Sequence, residues 1–434
     1  MSNILIKGAT VITMENHDDI IAGGEVAIQG QHILHVGPAG STPGDFVPGR
    51  TLDASGMLAL PGFVNSHTHA AMTLLRSYAD DLPLMKWLEE KIWPLEARLE
   101  REDIYWGAML CCLEMIRSGT TTFADMYFHM GQVARAVEKA GMRADLSRGM
   151  IGVGPEAESA IDYSRYFVEK WHGQANGRIT VRLGPHAPYT CPPDYMKKVI
   201  DLAGDLNVGI HIHLAETKTE IEDMANKYGM TPIRLMDSVG LFELPVLAAH
   251  CVHLDEEDIR ILARKKVGVA HNPESNMKLA SGIAPVTSML EAGVTVGLGT
   301  DGAASNNNLD MLEEMRSAAL LQKVSTMNPL ALPSFQALRM ATRGGAEALG
   351  MGGKIGLIRK GFNADIILVE TRKPHLFPRH DWIAHIVYAA QSSDINTVII
   401  DGNIVMEGRK VLTIDEGEVY EQVQTRAERL VNEK

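Results

Sequence analysis

Two kinds of hydrophobic pattern divide the chain. Near its start, Ile4 to Ile6, Thr10 to Thr13, Glu25 to Ile28 and Ile33 to Gly37 are short β-branched runs broken by glycine and polar residues, the pattern of strands joined by turns. The far end repeats it. Ala364 to Val369 and Val398 to Ile400 lead through Asp401-Gly402-Asn403 into Ile404-Val405-Met406, and an Asp-Gly pair between apolar runs predicts a tight hairpin. The two β pieces are expected to pair into one small domain.

Between them, apolar runs of strand length alternate with helical patterns, as repeated βα units of a parallel sheet do. Eight such runs occur: Gly62 to Asn65, Thr120 to Ala124, Arg143 to Ser147, Ile179 to Gly184, Val208 to Ile212, Val246 to Ala249, Val267 to Ala270 and Val294 to Thr300. Gly141 and Gly293 fit left-handed caps at helix ends, and Pro192-Pro193 fits a helix start. The expectation is an α/β chain, a (β/α)8 TIM-like barrel over residues 61–355. Residues 1–60 and 356–434 should supply a small β-sandwich domain built from both termini, with a terminal helix.

Composition narrows the partners. The 434 residues are 45% hydrophobic, enough for a sizeable core, and 54 acidic against 41 basic side chains leave a formal charge of -13. That charge repels a phosphate backbone, so no nucleic-acid partner is expected. Ala54 to Leu75 contains no charged residue, yet Pro61, Gly62, Asn65, Ser66 and two histidines make it a poor membrane span. The first residues lack the basic and long apolar segments of a secretion leader, and Cys111, Cys112, Cys191 and Cys251 show no CxxC spacing. Both observations predict a cytoplasmic protein with buried free thiols. A homo-oligomer is compatible with all of this.

Candidate chemistry collects where a barrel collects it, at the C-terminal strand ends. Strand one runs into His67-Thr68-His69, strand four into His186, strand five into His213 and Glu216, strand six into His250, strand seven into His271, and strand eight into Asp301. Only 16 histidines exist in the chain, so this placement is not expected by chance. His67 and His69, two apart in an extended segment, can present both imidazoles to one cation, and His213 with Asp301 adds a nitrogen and a carboxylate. That mixed set suits zinc, iron(II) or manganese rather than calcium. One ion is expected, because the run Ile179 to Gly184 offers Arg182 but no lysine that a bridging carboxylate could be built on. Such a cation lowers the pKa of water from 15.7 to roughly 7. Asp301 is placed to take the water proton, His250 to orient the nucleophile or stabilise developing charge, and Glu216 to carry a proton. Hydrolysis follows as the reaction class, with an amide, an aromatic C–N or an aromatic C–Cl bond as the scissile group.

The segments Pro61-Gly62-Phe63-Val64-Asn65-Ser66-His67-Thr68-His69, His213-Leu214-Ala215-Glu216 and Gly299-Thr300-Asp301 resemble the amidohydrolase superfamily. Within it, Trp93-Pro94-Leu95-Glu96, Gly184-Pro185-His186-Ala187-Pro188-Tyr189, Ala249-His250-Cys251-Val252-His253 and Asp301 to Asn307 are similar to the 5'-methylthioadenosine/S-adenosylhomocysteine deaminases. The resemblance spans nearly the whole chain, Gly361 to Ile366 included. It implies one divalent metal, zinc or iron, on His67, His69, His213 and Asp301. It also implies that Glu216 protonates the ring nitrogen while His250 and Asp301 assist hydroxide attack at adenine C6. Glu96 would read the ribose hydroxyls, His186 and Trp93 would lie beside the substrate, and Arg148 would meet a homocysteine carboxylate. The chain departs from the pattern about a dozen residues after Arg148, where Ala160 replaces a second carboxylate-reading arginine. Guanine deaminases and triazine chlorohydrolases share much of the ligand set. A barrel that has lost its metal and serves as a scaffold is the alternative of another class.

Overall fold

The runs expected separately at Ile4 to Ile6 and Thr10 to Thr13 are one strand. In the computed structural model, which describes residues 3–432, β1 (Ile4–Ile12) passes through Gly8 with a register shift against its neighbour. Gly8 adopts φ +79°, and a Cβ there would stand 2.6 Å from Ser55 Oγ, so the glycine that reads as a break makes a bulge instead. The strand continues into β2 (Ile20–Gln29), β3 (His32–Gly37), β4 (Arg50–Asp53) and β5 (Met57–Pro61).

The eight predicted barrel strands follow: β6 (Phe63–Thr68), β7 (Thr120–Tyr127), β8 (Arg143–Met150), β9 (Ile179–Pro185), β10 (Ile210–Leu214), β11 (Val246–His250), β12 (Gly268–His271) and β13 (Thr295–Leu298). They close in the order β6 to β13, with β13 pairing back onto β6. Alternation decides which side chains face the middle. In β10, Ile210, Ile212 and Leu214 pack outward into the main core, while His211 and His213 point inward to His67. The lower half of the barrel is filled by Val64, Ala124, Leu247 and Ala270 against Ala346, Leu349 and Ile355. Gly141 and Gly293 take φ +81° and +84°, as their capping positions require.

The chain returns through β14 (Ile366–Glu370), β15 (Ile395–Ile400), β16 (Asn403–Glu407) and β17 (Lys410–Val411). Asp401 and Gly402, both at positive φ, turn β15 into β16 as the Asp-Gly pair predicts. β14 pairs with β5, so both ends of the chain form one mixed nine-stranded sheet. Its halves enclose a common core in which Ile4, Ile6 and Val26 meet Ile366, Leu368 and Ile399. This sheet is joined to the barrel by Arg143, the first residue of β8, whose guanidinium pairs with Asp365 at 2.8 Å and Asp401 at 2.9 Å. The terminal helix Glu416–Asn432 lies on barrel helix Arg101–Ser118, where Arg426 reaches buried Asp103 at 3.1 Å. We propose domain boundaries at residues 60 and 355, the terminal helix belonging to the 356–434 segment and packing across onto the barrel. All four cysteines are buried free thiols. Among the described residues no helix is long and apolar enough to cross a membrane.

Candidate metal centre and its cleft

Three imidazoles converge at the C-terminal mouth of the barrel. One ring nitrogen each from His67, His69 and His213 lies within 4.8 Å of the other two, and His67, His250 and Asp301 form a second group of the same tightness. In each of the first three rings Nδ1 is already engaged. His67 Nδ1 meets His211 Nε2 at 2.8 Å, His69 Nδ1 donates to the Met126 carbonyl at 2.6 Å, and His213 Nδ1 donates to the His186 carbonyl at 2.8 Å. That leaves Nε2 of each free to face inward.

His67 Nε2 is buried and has no hydrogen-bond partner among the described residues. An acceptor nitrogen left bare in the interior is costly unless something satisfies it, and a cation does. Burial holds His67 down at about 4, despite the opposing pull of Asp301, and holds His213 well below its ordinary value. Both rings are therefore neutral at pH 7, as a metal ligand must be. The residues present fit a divalent cation.

Asp301 supplies the carboxylate. Its Oδ1 lies 3.3 Å from His69 Nε2 and 3.5 Å from His67 Nε2 and accepts the Gly302 N–H, while Oδ2 accepts from Ser275 Oγ at 2.6 Å and Ser305 Oγ at 3.1 Å. Burial alone would raise this acid, but the surrounding imidazoles outweigh it and keep Asp301 well below the usual carboxylate range. His250 Nδ1 faces Asn276 Oδ1 at 2.9 Å, and its Nε2 stands 3.9 Å from Glu216 Oε2. Glu216 is pushed up, by burial first and then by Asp301, against the lowering effect of His250. A proton carrier that holds its proton longer than an exposed glutamate suits acid–base work.

A cleft of about 850 Å3, open solvent at its mouth included, leads to this centre. A family model described as the amidohydrolase family matches residues 58–405. The chain belongs to the amidohydrolase family. This amidohydrolase is 68% identical over 432 residues, covering 100% of both chains, to the 5-methylthioadenosine/S-adenosylhomocysteine deaminase of Pelotomaculum thermopropionicum. It is 60% identical over 430 residues, 99% of each chain, to the deaminase of the same name from Desulforamulus reducens. Among solved structures it resembles an adenosine deaminase from Xanthomonas campestris with bound zinc, with a TM-score of 0.95 and 34% identity over 99% of each chain. It also resembles a zinc complex of atrazine chlorohydrolase from Arthrobacter aurescens, with a TM-score of 0.91 and 26% identity over 98% of this chain and 100% of that one. The family and the zinc of these neighbours agree with the donor set in supporting a divalent metal.

Most of the sequence-predicted residues of this amidohydrolase meet in the cleft. His69, Trp93, Glu96, His186, His213, Glu216, His250 and Asp301 all line it, with His67 buried beneath. Trp93 is 40% exposed at the rim rather than part of the core. Glu96 accepts the Tyr127 hydroxyl proton at 2.6 Å, and His186 faces Thr190 Oγ1 at 3.0 Å. Arg148 is the exception. Gly149 lines the cleft, but the Arg148 side chain does not; its guanidinium donates to the Gly149 carbonyl and lies near Tyr195, Glu156 and Tyr163. Ala160 is buried in helix Ala157–Trp171.

Several supporting groups were not singled out from sequence. His211 carries no assigned role there, yet it supports His67 and is itself 3.2 Å from Ser147 Oγ. Its place two residues before His213, on the same strand face, was the available signal. Ser275 and Asn276, which hold Asp301 and His250, follow His271-Asn272 at the end of strand seven. Glu220 follows Thr217 at the spacing of a helix-capping box, directly after Glu216.

Proposed function

We propose that this chain is a divalent-metal-dependent aminohydrolase of adenosine-type nucleosides. Its substrates are 5'-methylthioadenosine, converted to 5'-methylthioinosine, and S-adenosylhomocysteine, converted to S-inosylhomocysteine, each with release of ammonia. The observation that carries the reading is the joint one: an inward Nε2 triad with Asp301 beside it, in a chain 68% identical along its whole length to a deaminase of that name.

His67, His69, His213 and Asp301 would hold the metal, and three imidazoles with one carboxylate favour zinc, with iron(II) as the other candidate. A cation held there makes hydroxide available at neutral pH. Around it the side chains divide the remaining work. Glu216 gives its proton to the purine ring nitrogen as water oxygen bonds to C6. Asp301 and His250 receive the water proton and stabilise the charge that develops. The exocyclic C–N bond then breaks: ammonia leaves with the proton returned from Asp301 and His250, and the C6 hydroxyl gives its proton to Glu216, which leaves C6=O and restores the acid. Glu96 reads the ribose hydroxyls. Leu84, Trp87, Leu88 and Trp93 give the cleft an apolar wall that suits a 5'-thioether better than a 5'-hydroxyl.

The competing substrates fit less well. The triazine hydrolase likeness stands at 26% identity, against 68% and 60% for the methylthioadenosine/S-adenosylhomocysteine deaminases. A metal-free scaffold would have no use for a buried, unpaired His67 Nε2. The test is ammonia release from methylthioadenosine by metal-loaded protein, followed through the ultraviolet change from adenine to hypoxanthine. Comparison of kcat/KM for methylthioadenosine, S-adenosylhomocysteine and adenosine then ranks the substrates. No turnover of any adenosine derivative would overturn the reading.

A further inference from the structure

The turn that carries Glu216 is gripped from behind by a second glutamate. Glu220 is 4% exposed, and each of its carboxylate oxygens accepts one main-chain N–H. Oε1 takes that of Ala215 at 3.0 Å and Oε2 that of Glu216 at 2.8 Å. Ala215 sits at φ +55°, a left-handed conformation that a residue with a Cβ keeps only where its surroundings enforce it. Successive N–H groups in such a turn form a concavity that binds an anion. Here the acceptor belongs to the chain itself: it is the Glu220 carboxyl, which burial raises to about 7 against the lowering pull of the Glu216 and Ala215 N–H groups.

The clamped residue also ties two strand ends together. The Ala215 carbonyl accepts the N–H of Val252 at 3.0 Å and of His253 at 2.9 Å, and Cys251 N–H reaches the Leu214 carbonyl at 3.0 Å. His250 and Cys251 are themselves at φ +73° and +50°. Glu220 thus holds the junction from which Glu216 and His250 project toward each other, 3.9 Å apart. Helix capping alone does not account for this. Thr217 Oγ1 accepts the Glu220 N–H at 3.2 Å, the first half of a capping box. The second half would return the glutamate to the Thr217 amide, whereas Glu220 reaches past it to residues 216 and 215.

We propose that Glu220 is a positioning residue for the hydrolytic reaction, its carboxylate fixing the 215–216 main chain and so the placement of Glu216 against His250. This rests on the deaminase reading, in which Glu216 carries the proton. The experiment compares metal-loaded wild type, Glu220→Gln, Glu220→Asp, Glu216→Gln and the Glu216→Gln/Glu220→Gln pair with methylthioadenosine. Glu220→Gln sets an NH2 group against a main-chain N–H, and Glu220→Asp withdraws the carboxylate by one methylene. Each should lower kcat about 100-fold, the loss expected of a misplaced reacting group, with KM and metal content little changed. In the pair, Glu220→Gln should add nothing to the loss caused by Glu216→Gln. A wild-type kcat in both Glu220 variants, or a multiplicative loss in the pair, overturns the proposal. Amide hydrogen exchange over the 214–217 peptide gives a readout free of turnover: it should quicken in either Glu220 variant, and unchanged exchange overturns the clamp. A fully active Glu216→Gln enzyme would instead sink the deaminase role of Glu216, whatever the exchange shows.

Discussion

His67 Nδ1 lies 2.8 Å from His211 Nε2, and that contact fixes the tautomers of both rings. With Nε2 of His67 turned inward, Nδ1 carries the proton and donates it to His211, whose own Nδ1–H points at Ser147 Oγ, 3.2 Å away. His211→Leu removes the acceptor and should weaken divalent-metal binding about 10- to 100-fold, while His211→Gln, whose amide oxygen can accept, should lose less. Competition against a chromophoric chelator measures this. Equal metal affinity in wild type and the leucine variant would show that the contact does not orient the ligand.

The catalytic strand ends were legible because parallel βα alternation determines where loops converge, and period-two alternation puts His211 and His213 on one face. The partner of His211 was not legible: His67 lies 144 positions earlier, and only barrel closure brings β6 and β10 to a common axis. The same holds for Ser275 and Asn276, small polar residues whose role depends on which ring stands opposite. Gly8 misled locally, since a glycine in a β run reads as a turn and a bulge keeps the strand going. Arg148 shows the remaining gap. The expected strand stopped at Ser147, whereas β8 runs on through Arg148 to Met150, and the direction of a long flexible side chain is set by neighbours such as Tyr195 that no local pattern reveals.

The buried cluster of Arg143, Asp365 and Asp401 predicts a large stability effect. Arg143 Nε and a terminal nitrogen hold two carboxylates, and the Asp401 N–H closes the set on Asp365 at 2.7 Å. Arg143→Ala would leave two buried acids without their cation, at a cost of about 3–5 kcal/mol. Urea unfolding of the metal-loaded chain measures it. Adding Asp365→Asn and Asp401→Asn to the variant should recover part of the loss, because neutral amides tolerate the missing charge. A change within about 0.5 kcal/mol, as at an ordinary surface site, would contradict the assignment.

Arg148 bears on the choice between substrates. Its guanidinium is half-buried beside the cleft-lining Gly149, and Ala160 offers no second cation to a substrate carboxylate. The carboxylate role that the family resemblance implies requires the guanidinium to leave the Gly149 carbonyl and turn into the cleft. On that role Arg148→Ala should weaken use of S-adenosylhomocysteine by roughly 1.5–3 kcal/mol in kcat/KM, the worth of one charged hydrogen bond, and spare methylthioadenosine. Equal losses with both would defeat the carboxylate role.

Glu96 ties substrate binding to pH. Burial raises this carboxyl from 4.5 to about 7, against the lowering effect of the Tyr127 hydroxyl that donates to it. In the folded chain Glu96 keeps a proton that the unfolded chain has already released. The stability this contributes is present below 4.5 and is lost as pH rises through about 7. Substrate binding follows the opposite sign. Two ribose hydroxyls need an ionised carboxylate that accepts from both, so KM for methylthioadenosine should fall as pH rises through about 7. Tyr127→Phe removes the donor that favours the ionised form and should move that midpoint upward. Glu96→Gln should raise KM and flatten its pH dependence. KM measured on both sides of neutrality for the three proteins decides the matter, and a wild-type midpoint that Tyr127→Phe leaves in place would remove Glu96 from the ribose site.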